Sequence, residues 1–135
     1  MPFEIRDEGR FYFARLSGVL DRADLDAVTA EIERLEDVGP QKDRVTDLTP
    51  LTHIDVGFEE VFGVAVKRAQ RRVSAPIRSA LVAKQPVHYG FARMFQMLND
   101  NPRIQIRIFG TVEEALQWLD SSRAAPRGPQ PPPLA

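Results

Sequence analysis

The sequence predicts one small α/β domain with a mostly parallel sheet, and three observations carry that expectation. Apolar residues recur at a period of two in short β-rich runs and at three or four in longer charged ones. From residue 21 onward these two kinds of segment alternate, which implies parallel strands joined by right-handed helical crossovers. The chain has 135 residues, 43% of them hydrophobic and 27% charged, enough to bury one core and too few for two full domains. The expected order is β-β-α-β-α-β-α-β-α.

The opening "FEIRDEGRFYFARLSG" alternates around Phe3 and Ile5, turns at Glu8-Gly9 and alternates again through Phe11, Phe13 and Leu16. It predicts an antiparallel hairpin. In "DRADLDAVTAEIERLEDVG", Asp21 is placed to cap a helix whose Leu25, Val28, Ile32 and Leu35 share a face, with Gly39-Pro40 as the stop. "DRVTDL" supplies a strand. Gly57 to Arg72 supplies a helix with Phe58, Val61, Phe62, Ala65 and Ala69 on one side, a face that Val64 and Val66 widen. Ile77 to Ala83 is a further strand, and "VHYGFARMFQMLND" a helix presenting Phe91, Met94, Phe95 and Leu98 inward. Gly90 weakens its first turn by about 1 kcal/mol relative to alanine. "RIQIRIF" is the last strand, and "TVEEALQWLD" a helix opened by Thr111 with Glu114, its Ala115, Trp118 and Leu119 facing the sheet. Residues 1–121 thus form the domain. Residues 122–135, which include "RAAPRGPQPPPLA", lack apolar periodicity and are expected to be an extended tail outside the core, able to meet a proline-reading domain.

Composition narrows the function classes. A formal net charge of −1 gives no pull toward nucleic acid, and no nucleic-acid partner is expected. The absence of cysteine excludes disulfides, thiolate metal sites and a cysteine nucleophile. No segment reaches the roughly 18 apolar residues of a membrane helix, and the amino terminus lacks a signal-peptide run, so the expected location is cytoplasmic. G-x-S-x-G, P-loop and H-E-x-x-H patterns are missing, and two histidines far apart in sequence are a weak metal signal. The expectation is no cofactor, no metal and no enzyme.

The hairpin, the first helix, "RVTDLTPLTHID", the next helix, "SALVA" and the closing "RIFGTVEEALQWL" together resemble the SpoIIAA-like branch of the STAS superfamily, the domains of anti-sigma-factor antagonists and sulfate transporters. The resemblance runs from about Phe3 to Asp120, and its most telling parts are Asp47 and the terminal Phe109, Ala115, Leu116, Trp118 and Leu119. It implies helices packed largely on one face of the sheet and action by binding rather than catalysis. Members of this branch are also likened to the lipid-carrying SEC14 fold, which implies an apolar ligand pocket.

The stretch "DLTPLTHIDVGFEEVFGVA", Asp47 to Ala65, is the region most informative about function. Pro50 is read as ending a strand, Asp55 as capping the next helix and Gly57 as permitting a tight turn into it. A loop there sits at the carboxyl end of a parallel strand, where open α/β sheets bind ligands or partners. In phospho-switched antagonists the matching segment resembles an aspartate, paired serines and a glycine. Asp55 matches the aspartate, but Val56 and Gly57 stand at the hydroxyl positions and cannot take phosphate. Glu59 and Glu60 already place negative charge in the first turn, and Thr49 and Thr52 are nearby hydroxyls at other positions.

The expected partner- or ligand-binding patch is His53, Asp55, Gly57, Phe58, Phe62 and Lys67. Three readings follow. The first is a non-enzymatic regulatory module that binds another protein through residues 52–66. The second is a small carrier of lipid or another apolar molecule, held between the sheet and the helix at Phe91–Leu98. The third is a weak enzyme using His53 and Asp55, with His88 converging on the same side. The basic "KRAQRR", Lys67 to Arg72, either favours its helix dipole or, with Arg78, holds an acidic partner or headgroup. An exposed edge beside the hairpin would offer a homodimer surface.

Overall fold

The computed structural model describes residues 3–121. Eleven elements follow in the order β1 (Phe3–Asp7), β2 (Phe11–Leu16), β3 (Gly18–Asp21), α1 (Arg22–Val38), β4 (Asp43–Asp47), β5 (Leu51–Asp55), α2 (Phe58–Ala69), β6 (Ile77–Val82), α3 (Pro86–Leu98), β7 (Ile104–Phe109) and α4 (Val112–Asp120). The proline-rich stretch beyond Ser121 lies outside the described residues.

The main sheet has five strands in the order β1-β2-β4-β6-β7. Only β1–β2 is antiparallel; the other neighbours run parallel, as the alternation predicts. Strand pleating then divides the side chains between two cores. Ala14 and Leu16 of β2 join Leu25 and Val28 of α1, Val61 and Val64 of α2, and Phe91 and Ala92 of α3 in one cluster. On the other face Phe13, Val45, Ala80 and Val82 pack against Ala115, Trp118 and Leu119 of α4. Three helices therefore cover one face and a single helix the other.

Two short strands add to the expected order. β3 and β5 pair in parallel as a separate ribbon, Gly18 opposite Leu51 and Asp21 opposite Asp55. Gly18, at φ +72°, turns the chain out of β2 in the left-handed region that favours glycine. At the facing bend, the Asp47 carboxylate accepts hydrogen bonds from the Thr49 N–H at 3.0 Å and hydroxyl at 2.7 Å. Arg15 Nε donates to the same carboxylate at 3.2 Å. Asp47 is thus buried with its oxygens satisfied, and it redirects the chain from the main sheet into β5. Pro50 stands in the turn between β4, which ends at Asp47, and β5, and its carbonyl accepts from the Gly18 N–H at 3.3 Å.

Helix boundaries follow local chemistry. Asp21 caps α1, accepting the Asp24 N–H at 2.9 Å, and Thr111 caps α4, accepting the Glu114 N–H at 3.2 Å. The expected cap of α2 is corrected. Gly57, not Asp55, is its N-cap, because Asp55 is still in β5. Gly57 has no side chain to accept a first-turn N–H, so only Glu60 acts there, accepting the Gly57 N–H at 2.6 Å. α2 also ends at Ala69, before the expected Arg72.

Candidate functional site

The carboxyl ends of β2 and β4, the ribbon β3–β5 and the start of α2 form one end of the molecule, and the expected patch lies there and along α2. β5 places His53 and Asp55 in exposed positions, and Thr52 is exposed as well. Thr49 differs, since its hydroxyl is held by Asp47. Val56 tucks against the core, which carries the chain over to α2.

On α2 the apolar residues divide. Val61 and Val64 turn into the core, whereas Phe58 is 58% exposed, Phe62 46% and Val66 40%. These three recur at every fourth residue and form an outward stripe. The Phe58 and Phe62 rings stack with centroids 5.8 Å apart. The apolar face expected to pack as one is therefore two faces, and Phe58 and Phe62 belong to the outer one. Val66 completes that outer stripe. Lys67 is exposed and lies 3.6 Å from the Glu33 carboxylate of α1.

Two arginines of "KRAQRR", Arg68 and Arg71, are engaged inside the protein. Arg68 donates two hydrogen bonds of 2.9 Å to Glu36 and lies 3.4 Å from Glu33, while Arg71 reaches Asp37 at 2.8 Å and Glu36 at 3.4 Å. Arg44 of β4 also pairs with Glu36. Burial pushes the Glu36 carboxyl up, but hydrogen bonds from Arg68 and the charges of Arg44, Arg68 and Arg71 outweigh it and hold Glu36 down to about 2. Burial, then Arg68, push the Arg44 guanidinium down to about 10 against the pull of Glu36, so it stays a cation at neutral pH. Arg78 does not join this group. Its guanidinium lies on the α4 face, donating to Trp118 and Ser121 at that helix's end.

The two histidines do not converge on a catalytic pair. His88 is 1% exposed, and its Nε2 donates to the Leu51 carbonyl at 2.8 Å, fastening α3 to β5. His53 is exposed, and among the described residues no hydrogen bond or ion pair joins it to Asp55.

Between the sheet and α1–α3 lies a cavity of about 130 Å³, with Val28, Val64, Leu81, Phe95 and Ile106 among its walls. The apolar pocket is expected against the helix at Phe91–Leu98, but of that stretch only Phe95 lines the cavity, whose helical walls come mainly from α1 and α2. Its volume is less than half of the roughly 300 Å³ at which ordinary ligand pockets begin. Arg44 and Arg68 lie at its polar side. Neither Arg44 nor Glu36 stands out in the sequence, because the ion pair joins separate elements; a lone arginine among the alternating residues of β4 is the one local trace.

No family model matches the chain, and no curated protein matches it either. Solved structures do. The anti-sigma factor antagonist SpoIIAA in its unphosphorylated form superposes with a TM-score of 0.60 at 20% identity, over 89% of this chain and 99% of that one. The fold is SpoIIAA-like. An uncharacterized DUF3478-family protein with a SpoIIAA-like fold from Shewanella loihica gives a TM-score of 0.59 at 17% identity, covering 87% of this chain and 93% of that one. The Bacillus cell fate determinant SpoIIAA in the phosphorylated form gives 0.52 at 21% identity, covering 87% and 98%. A SpoIIAA-like fold at these identities carries architecture and not activity, so function rests on the site itself. Among the described residues no helix is long and apolar enough to cross a membrane.

Proposed function

We propose that this SpoIIAA-like domain is a non-enzymatic, cytoplasmic protein-binding module that docks a partner on the outer face of α2. The observation that carries the reading is the stacked, exposed Phe58–Phe62 pair with Val66 one turn further on. Exposed aromatic residues clustered at helical spacing are the anchors typical of helix-in-groove recognition, and polar neighbours form the rim. His53, Asp55 and Glu59 supply that rim at one end and Lys67 at the other. Gly57 fixes the angle at which α2 leaves β5.

The anti-sigma factor antagonist of similar fold exists in phosphorylated and unphosphorylated forms. Here the docking would run without a serine switch at the start of α2. Val56 and Gly57 carry no hydroxyl, and the Glu60 carboxylate already accepts the Gly57 N–H that an incoming phosphate would need.

The test is an affinity capture from the native host with the full chain as bait, alongside Phe58→Asp and Phe62→Asp. The expected result is a discrete partner retained by the parent chain and lost by both variants, whose circular dichroism stays unchanged. A partner retained by both well-folded variants would remove α2 as the docking face.

A further inference from the structure

The cavity under α1–α3 has a chemistry that docking on the outside of α2 does not use. Arg44 lines it, is 8% exposed, and rises from β4 on the face opposite α4. A guanidinium carries five N–H donors. Among the described residues Arg44 uses Nη1 toward Glu36 and makes no other hydrogen bond. That carboxylate is shared, because Glu36 also accepts from Arg68 and Arg71. Two hydroxyls flank the same wall, Thr46 two residues along β4 and Ser79 directly across the β4–β6 pair. Neither has a protein hydrogen-bond partner among the described residues. Among the described residues the one fully sealed side-chain nitrogen or oxygen without a partner is His88 Nδ1, so the spare donors of Arg44 are not sealed away.

A buried cation with unused donors at the edge of an apolar chamber fits a molecule with a carboxylate at one end and a compact apolar body. The chamber sets the size: an engineered cavity of roughly 150 Å³ holds one benzene molecule. We propose that this cavity binds a small organic monocarboxylate of about that bulk, its carboxylate on Arg44 with Ser79 and Thr46 beside it, and its body against Val28, Val64, Leu81 and Phe95. A guanidinium receives a carboxylate through two parallel N–H donors, whereas a neutral amide of equal shape offers a single acceptor oxygen. The proposal stands apart from docking at α2.

The test is a titration of the ¹⁵N-labelled full chain with sodium benzoate at constant ionic strength, beside the neutral isostere benzamide. Saturable shifts are expected at Thr46, Ala65 and Ser79, with benzamide binding at least tenfold more weakly. Arg44→Met should remove the preference for the anion. Should that variant lose its dispersed spectrum, Ala69→Leu, which fills the chamber and keeps Arg44, should abolish benzoate binding alone. Benzoate shifts that never saturate, equal binding of benzamide, or undiminished binding by Ala69→Leu would each overturn the assignment.

Discussion

Val61 and Phe62 are neighbours in α2 with opposite roles, and substitution should separate them. Val61 is fully buried, so Val61→Ala should cost about 1.5–3 kcal/mol by lost burial and the cavity left behind. Phe62→Ala should change stability by only about 0.5 kcal/mol, because the ring is half in solvent, yet it should weaken partner binding. Urea unfolding of the two variants checks the contrast. Glu36 supplies a pH dependence. Its carboxyl is held to about 2 in the folded chain against an ordinary 4.5, so the stability it contributes is complete above about pH 4.5 and is lost as pH falls through 2. Glu36→Gln should flatten the acid limb of a pH–stability curve in that window. A variant curve that matches the parent's would mean that the three arginines do not act through this carboxylate.

At the scale of elements, Gly90 sits inside α3 with nothing near the position a Cβ would take. Gly90→Ala should therefore stabilise the domain by about 0.5–1 kcal/mol, seen as a melting temperature higher by roughly 2–5 °C. Most elements were legible because their signals are local: Asp21 and Thr111 cap helices within three residues, and the hairpin turns at a glycine. The ribbon β3–β5 was not legible. Each of its strands is five residues or fewer, the two pair across about 30 residues of chain, and Pro50 marks the end of one strand without showing that another begins at the next residue. The face of α2 was ambiguous for a related reason. Phe58, Val61, Phe62 and Ala65 all fit one apolar arc, and periodicity does not say which half of a wide arc a sheet will cover.

For the whole molecule, the division of helices three to one around the sheet leaves α2 with two working surfaces. Its inner side closes the core and the cavity, and its outer side carries an apolar stripe that nothing among the described residues covers. Sequence reading placed His53, Asp55, Gly57, Phe58, Phe62 and Lys67 in one region because they are close along the chain, and the structure sets them along one end and one helix. It could not find the Glu36–Arg44 pair or the chamber beside it, since those arise only when α1, β4 and α2 meet. The absence of cysteine makes the docking claim directly addressable, because one introduced thiol is the only one in the chain. The measurement is photo-crosslinking in native-host extract from a benzophenone attached at Val66→Cys on α2 or at Gln117→Cys on the opposite helix. Docking on α2 predicts a discrete protein adduct from position 66, its loss when Phe58→Asp is added, and none from position 117. No adduct at position 66, or the same adducts from both positions, would contradict it.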